Sequence, residues 1–248
     1  MRRALFVVAL SCAVSYATPA TAQDAIEAGA FSAEPPGVAL PRGWTPMTFK
    51  EIAAHTRYTL VTDAGVTVLK AESERSASGL TRDLAARKID IREWPILKWR
   101  WKVANLIKGA DIARKQGDDY PARIYVAFQY DPERAGAGMR MKYGIAKALY
   151  GTYPPHAGIN YVWDGKAPAG AMTPNAHTDR VMMFVVESGL SRVGEWVEVE
   201  RDVYADYKRA FGEEPPLVSG IAVMTDSDST GESATAWYGD ITLHRKAR

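Results

Sequence analysis

The sequence predicts an all-β protein, a β-sandwich of jelly-roll type with two short helical insertions. Short runs in which apolar and polar residues alternate recur along the chain, and turn residues separate them. This pattern is typical of a β-sandwich, and roughly ten strands are expected from it. The few helical stretches do not alternate with the strand-like runs, which argues against a doubly wound α/β sheet.

Two strand-like runs, 96–103 and 122–130, form the centre of the predicted fold. In each run the apolar residues fall on one face and the polar residues on the other, because side chains alternate across a strand. Such half-polar strands favour an antiparallel sheet with one face on the core. The polar face is either plain solvent-exposed surface or the wall of a binding groove. The residues predicted to form it are Lys98, Arg100, Arg123, Tyr125 and Asn160.

The other elements follow from the same criteria. Residues 56–61 and 66–71 flank a short turn and are predicted to form a hairpin. The run 180–187 is apolar without alternation, so it is predicted to be central and buried on both faces. The stretch 167–179 is predicted to be a loop. The remaining predicted strands are 76–84, 159–163, 196–203, 218–225 and 234–243, and the predicted helices are 141–149 and 204–211.

The amino-terminal residues 1–22 are predicted to be a secretory signal peptide. Basic residues are followed by a short apolar stretch and by an A-x-A site, so cleavage is expected after Ala22 and the protein is expected to be periplasmic or secreted. The alternative, a lipoprotein signal ending at Cys12, lacks the expected aliphatic residue three positions earlier. Residues 23–43 are rich in Pro, Gly and Ala and are predicted to be a loosely held lead-in to a single domain, 44–248.

Composition excludes several classes of function. The single Cys lies in the predicted signal, so the mature chain has no disulfides, no thiolate chemistry and no Cys-zinc sites. Without Arg2 and Arg3, the basic residues no longer outnumber the 29 acidic ones, so the mature chain lacks the positive charge typical of nucleic-acid binding. No segment of the mature chain is long and apolar enough to span a membrane.

Two acidic segments are candidate sites. Asp118 and Asp119 precede Arg123, and they fit either loop caps and an ion pair or paired carboxylates for polar-ligand recognition or acid–base work. Adjacent residues in an extended loop point apart, which favours the structural interpretation. Asp226 and Asp228 alternate along the chain, so their oxygens could hold a structural calcium ion, or they could form a solvated turn.

Aromatic residues offer stacking surfaces for a ligand. Trp99 and Trp101 share a face with aliphatic residues, which predicts that they belong to the core. Trp163 stands at a strand end beside Asp164 and is predicted to be the better exposed candidate. The histidines lack the spacing of a zinc enzyme, and no G-x-S-x-G element is present.

Four motifs resemble a known family of secreted bacterial proteins, domain of unknown function 3047. They lie at residues 97–103, 118–126, 160–163 and 224–230, and the resemblance extends over nearly the whole mature chain. The family has no assigned activity, so no catalytic residue is implied. The closing strand 238–243 also resembles that of galactose-binding-like jelly-roll carbohydrate-binding modules. That resemblance implies an architecture and, in many such modules, a structural calcium ion.

The favoured hypothesis is a non-catalytic extracytoplasmic β-sandwich that binds a carbohydrate or a similar polar envelope ligand. Its predicted ligand-binding residues are Lys98, Arg100, Asp118, Asp119, Arg123, Tyr125, Asn160 and Trp163. A secreted hydrolase of glycans or esters that uses the Asp carboxylates is one alternative. An envelope scaffold that binds another protein is the other.

Overall fold

The computed structural model of the protein describes residues 25–133, 135–150 and 154–246. Within these ranges thirteen strands form two sheets, one of six strands and one of seven. One continuous cluster of buried apolar side chains lies between the two sheets. The predicted β-sandwich fold is therefore confirmed, including its two helical insertions.

Strands are numbered in chain order. The six-stranded sheet contains β1 (Ala25–Gly29), β3 (Arg57–Asp63), β4 (Val66–Glu74), β6 (Ile96–Val103), β11 (Val197–Asp202) and β13 (Ser233–His244). Its order is β11-β6-β13-β4-β3, and β1 pairs with β13. The seven-stranded sheet contains β2 (Trp44–Met47), β5 (Ala77–Asp83), β7 (Ala122–Phe128), β8 (Gly158–Asp164), β9 (Met172–Asn175), β10 (Thr178–Ser188) and β12 (Val218–Asp226). Its order is β2-β5-β12-β7-β8-β10-β9, and β8 and β10 run parallel.

The two helices connect strands of the sandwich. Helix α1 (Ala137–Tyr150) lies between β7 and β8, and helix α2 (Val203–Phe211) lies between β11 and β12. The backbone N–H of Ala205 donates to the Asp202 side chain at the start of α2, over 2.9 Å. Gly212, with φ of 69°, ends the same helix in the left-handed conformation. No helix in these described ranges is long and apolar enough to cross a membrane.

The core is rich in aromatic side chains from both sheets. Trp99 and Trp101 of β6 are buried and face Tyr161 and Trp163 of β8, with ring centroids 5.3 Å and 6.2 Å apart. Large aromatic rings bury much apolar surface, so this contact contributes strongly to holding the sheets together. The predicted core positions of Trp99 and Trp101 are confirmed.

Strands β6 and β7, the two runs at the centre of the predicted fold, lie in different sheets. Their apolar faces meet across the core, and their polar faces therefore point to opposite sides of the molecule. Alternation identifies both strands and both faces. It does not tell which sheet each strand joins, because pairing depends on partners distant in sequence.

Strand β10 is buried on both faces over its middle part, as predicted, but it is not central. It lies next to the edge strand β9, which forms within the stretch 167–179 that was predicted to be a loop. Met182 and Phe184 join the main core, whereas Met183 and Val185 pack on the other face of the sheet with Tyr120. Because side chains also pack on its outer face, β10 has the apolar sequence expected of a central strand although it lies next to the sheet edge.

Part of the segment predicted to be loosely held, 23–43, is instead built into the sandwich. Strand β1 pairs with β13, and Phe31 after it is fully buried against Trp44, with ring centroids 5.4 Å apart. The Pro and Gly residues of this stretch give it a loop-like composition. Its few apolar side chains nevertheless anchor it. The predicted signal peptide, 1–22, lies outside the described residues.

We predict that Phe31→Ala lowers the free energy of unfolding by about 3–5 kcal/mol, because it removes a fully buried ring from the core. Chemical denaturation of the mature protein measures this loss. Val38→Ala in the same segment is the matched control, since Val38 is 89% exposed and its truncation should change stability by less than about 0.5 kcal/mol. Equal small effects of both substitutions would contradict the anchoring role of this segment.

Candidate functional site

A cleft of about 610 Å³ opens on the outer face of the seven-stranded sheet. Ile124 and Val126 of β7 face the core, so the alternate residues Arg123 and Tyr125 face the cleft. The cleft volume is within the range of ligand sites in proteins. Its lining residues are Phe49, Glu51, Ile52, Ala77, Asp118, Arg123, Tyr125, Asn175, His177, Val181, Met224, Asp226, Asp228 and Ser229.

Arg123 is the buried charge in the floor of this cleft. Its side chain is 3% exposed and forms ion pairs with Asp226, at the end of β12, and with Asp118, over 3.4 Å. The guanidinium also lies over the rings of Tyr120 and Tyr125, 4.9 Å and 5.8 Å from their centroids. Burial acts to lower the pKa of Arg123, but Tyr125 and Asp118 outweigh it, so the pKa lies above its ordinary value. Arg123 is therefore a permanent cation.

Asp118 connects the cleft floor to the β9–β10 hairpin. Its carboxylate accepts a hydrogen bond from the side-chain amide of Asn175 at 3.2 Å, and Nε2 of His177 lies 3.6 Å from it. The backbone carbonyl of Asp118 also accepts from Arg123, over 3.4 Å. Two segments distant in sequence thus meet at one carboxylate, which lines the cleft.

Asp119 has a different role from its neighbour. It is fully buried, and its carboxylate accepts hydrogen bonds from the backbone N–H groups of Ser229 and Thr230, at 3.2 Å and 2.7 Å. These bonds hold the loop between β12 and β13 against the loop before β7. Asp118 and Asp119 point apart. Asp119 does not line the cleft, so its prediction as a ligand-binding residue is wrong, and it instead caps backbone N–H groups.

Several buried polar atoms near the cleft floor have no hydrogen-bond partner among the described residues. They include Nε of Arg123, the hydroxyl of Tyr120 and Oδ1 of Asn160. Asn160 lies opposite Tyr125 in the β7–β8 register and faces the same side of the sheet. Burial raises the pKa of Tyr125, so its phenol is neutral and able to donate. Buried polar atoms of this kind are ordinarily satisfied by water, an ion or a ligand.

Asp119, Asp226 and Asp228 offer carboxylate oxygens that all lie within 4.8 Å of one another. Oxygen ligands of this type suit calcium, so the donor set fits such an ion. Asp226 already pairs with Arg123, and both oxygens of Asp119 accept backbone N–H groups. Asp228 has no ion-pair partner among the described residues. Burial, and then the negative charge of Asp119, raise the pKa of Asp228.

The structure does not bring all the predicted ligand-binding residues together. Lys98 and Arg100 lie on β6, on the outer face of the six-stranded sheet, so their assignment to a common surface with Arg123 is wrong. Lys98 pairs with Glu200 at 2.8 Å, and Arg100 lies 4.6 Å from the centroid of the Trp196 ring. Their faces diverge because β6 and β7 belong to opposite sheets.

Trp163 is not an exposed stacking surface. It is fully buried, and its ring N–H donates to the carbonyl of Gly189 over 3.3 Å. Its position at a strand end suggests exposure, but alternation places it on the same face as Ile159 and Tyr161, toward the core. The prediction of Trp163 as an exposed ligand-binding residue is therefore wrong.

The sequence analysis missed several residues that line the cleft. Asn175 and His177 come from the β9–β10 hairpin, and Phe49, Glu51 and Ile52 come from the segment after β2. No spacing rule connects these segments with Arg123. They lie next to the two edge strands of the seven-stranded sheet, β2 and β9, and reach the cleft from opposite sides.

The fold and the cleft define a β-sandwich protein with a polar, partly acidic cleft on the outer face of its seven-stranded sheet. The family model described as protein of unknown function (DUF3047) matches residues 42–242. The chain belongs to this family, and the predicted resemblance is confirmed. Among curated proteins, no relative matches the chain.

Several solved structures are similar to this chain. The family 30 carbohydrate-binding module of the Clostridium thermocellum cellulosomal cellulase Cel9D-Cel44B has 14% identity and a TM-score of 0.44, over 90% of this chain and 99% of that one. The CBM22-1 xylan-binding domain of Paenibacillus barcinonensis Xyn10C has 15% identity and a TM-score of 0.39, over 92% and 99%. The family 11 xylanase from Neocallimastix patriciarum has 10% identity and a TM-score of 0.36, over 88% and 96%. At these sequence identities and TM-scores, the similarity carries no conclusion about the ligand of the cleft.

The proposal of a calcium ion at Asp226 and Asp228 makes a direct prediction. Adding calcium to EDTA-treated mature protein raises the melting temperature, because an ion bound only to the native state stabilises it. Asp228→Asn removes the negative charge of one carboxylate that would bind the ion, and it should abolish this rise in melting temperature. Differential scanning calorimetry measures the melting temperatures of the unsubstituted and substituted proteins. An unchanged melting temperature in the unsubstituted protein would contradict the proposal and leave Arg123 as the cation that balances these carboxylates.

Proposed function

We propose that this protein binds a carbohydrate or a similar polar ligand of the cell envelope in the cleft of the seven-stranded sheet, without transforming it. The observation that supports this most strongly is the cleft itself. It combines a buried guanidinium, carboxylates, an amide and a phenol with apolar side chains. Ligand sites typically combine apolar side chains with placed polar groups, and this cleft has both.

The polar groups match the hydroxyls of a saccharide. A hydroxyl both donates and accepts hydrogen bonds, so it needs acceptors and donors side by side. Asp118 is an acceptor, and Asn175 and Arg123 are donors that already meet at its carboxylate. The cleft therefore places donors and an acceptor side by side, as a hydroxyl requires.

The apolar groups match the C–H faces of sugar rings. Phe49 and Ile52 are half-buried, and they line the cleft together with Tyr125 and Met224. An aromatic ring offers a broad apolar face at little cost in side-chain entropy. The cleft therefore offers both surfaces that a saccharide presents.

The proposed location is the periplasm or the exterior of the cell. The support is the sequence of residues 1–22, which has the basic, apolar and small-residue regions of a cleavable signal. A mature chain without Cys has no need of an oxidising compartment for its stability and tolerates one equally well. Envelope glycans are present in that location, which agrees with the proposed ligand class.

A hydrolase is the second candidate function, and one observation favours it. Asp228 lines the same cleft as Asp118, and burial raises the pKa of Asp228, which suits a general acid. Incubation of the protein with a bound glycan, followed by product analysis, tests this. If the unsubstituted protein cleaves the glycan and Asp228→Asn does not, the protein is a hydrolase and the binding proposal is wrong.

The adjacent residues Asp118 and Asp119 provide a matched test of the binding proposal. Asp118→Asn weakens glycan binding about tenfold or more, because it removes a charged acceptor in the cleft. Asp119→Asn instead lowers the free energy of unfolding by roughly 1–3 kcal/mol, because it weakens the buried cap of the β12–β13 loop. A glycan array identifies a binding glycan, and titration calorimetry and denaturation then measure the two effects.

Lys98→Ala is the control, since Lys98 lies on the opposite sheet and should affect neither quantity. Absence of saturable binding to every glycan on a broad array would contradict the proposed function. Binding that Lys98→Ala weakens and Asp118→Asn does not would place the ligand on the six-stranded sheet instead.

A further inference from the structure

Helix α1 is attached to the sandwich by one side. Among its side chains that the structure describes, Tyr143 is the only buried one, and its ring stacks on that of Tyr130 with centroids 4.1 Å apart. The hydroxyl of Tyr143 donates to the carbonyl of Pro155 over 3.0 Å. Met141 is 69% exposed. Residues two apart differ by about 200° around a helix, so Met141 lies on the side away from the sandwich.

The side of α1 that faces away from the sandwich is apolar in sequence. Ile145 and Ala148 follow Met141 at helical spacing, so their positions fall on the same side of the helix. A helix ordinarily turns its apolar side to the core of the protein. Helix α2 has that arrangement, since its Val203 and Tyr207 are buried in the core. The apolar side of α1 instead has no cover among the described residues.

The segment that contains α1 is also basic. Residues 134–163 include Arg134, Arg140, Lys142 and Lys147 and no acidic residue, although the predicted mature chain has no excess of positive charge. Arg140 and Lys142 lie about 100° to either side of Met141 around the helix. Long basic side chains beside an apolar stripe can contact anionic groups while their stems remain in apolar surroundings. The outer side of α1 therefore suits a partner that is both anionic and apolar.

We propose that α1 attaches the protein to an anionic phospholipid bilayer. The apolar side of the helix lies at the boundary between headgroups and acyl chains, and the basic residues beside it contact lipid phosphates. A helix of 14 residues is about 21 Å long, shorter than the roughly 30 Å core of a bilayer, so it lies along the surface. A second copy of the chain suits this side less well, because it would bring two basic helices together.

This attachment is separate from the proposed binding of a saccharide. Helix α1 follows the end of β7, whereas Arg123 of the cleft lies near the start of that strand. An anionic polymer without apolar groups would pair with the basic residues of α1 and leave Met141 in water. A bilayer accounts for both the exposed apolar side and the charge.

A fluorescent dye on α1 tests the proposal. The only Cys of the chain lies in the predicted signal, so Met141→Cys gives the mature protein one attachment point for an environment-sensitive dye. Vesicles of phosphatidylglycerol and phosphatidylcholine in equal amounts should shift its emission to the blue, and phosphatidylcholine vesicles should not. Leu190→Cys is the matched control, since Leu190 is 74% exposed in the connection between β10 and β11 and its dye should not respond.

Co-sedimentation with the same anionic vesicles measures the affinity of the unlabelled protein. Met141→Asp should weaken binding roughly tenfold or more, because a buried apolar side chain is replaced by a charge. Arg140→Gln should weaken it about fivefold, and added salt should weaken it further. Lys108→Gln is the control, since Lys108 is an exposed basic residue of another loop and should have no effect. The melting temperature should stay unchanged in all three variants, because the substituted side chains are exposed.

Absence of binding to the anionic vesicles would overturn the proposal, as would equal binding to neutral vesicles. Binding that Met141→Asp leaves intact would also overturn it, because the membrane contact would then lie outside α1. A blue shift of the Met141→Cys dye that grows with protein concentration in the absence of vesicles would instead assign this side of α1 to a second copy of the chain. Saccharide binding is measured without vesicles, so none of these outcomes changes the proposed function.

Discussion

The buried guanidinium of Arg123 is the interaction on which the cleft depends. A charge removed from water is tolerated in a protein only when it is paired and hydrogen-bonded. Asp226 at the end of β12 and Asp118 in the loop before β7 provide that pairing, so the end of β12 and this loop lie against Arg123. Both segments then form part of the cleft wall. The cleft thus follows from the need to neutralise one buried cation.

Charges on the two outer faces of the sandwich have different roles. On the six-stranded sheet, Lys98 and Glu200 form an exposed pair, and such pairs contribute at most about 1 kcal/mol to stability. Around Arg123 the acidic groups are buried or half-buried, and Asp119 fixes the neighbouring loop through backbone N–H groups. The cleft is therefore largely preorganised, which lowers the conformational entropy that the protein loses when a ligand binds.

Alternation in the sequence predicts most strands, the inward face of Trp99 and the outward face of Arg123, because these depend only on neighbours along the chain. Alternation also suggests that the side chains of Asp118 and Asp119 point in different directions. It does not predict that Lys98 and Arg123 lie on opposite sheets, since strand pairing is set by distant partners. The residues Asn175 and His177 enter the cleft for the same non-local reason. Composition is misleading for residues 23–43, because the Pro and Gly residues of this stretch are typical of a loop although Phe31 is fully buried in the core.

Denaturation of Arg123→Met, Asp226→Asn and the double variant tests most directly whether one buried ion pair organises this face. Arg123→Met should lower the free energy of unfolding by about 3–5 kcal/mol, because Asp226 is left buried without its cation. The double variant should recover at least about 1 kcal/mol of that loss, because Asp226→Asn removes the negative charge that Arg123→Met leaves unpaired. A small effect of Arg123→Met, or losses that simply add in the double variant, would contradict the account.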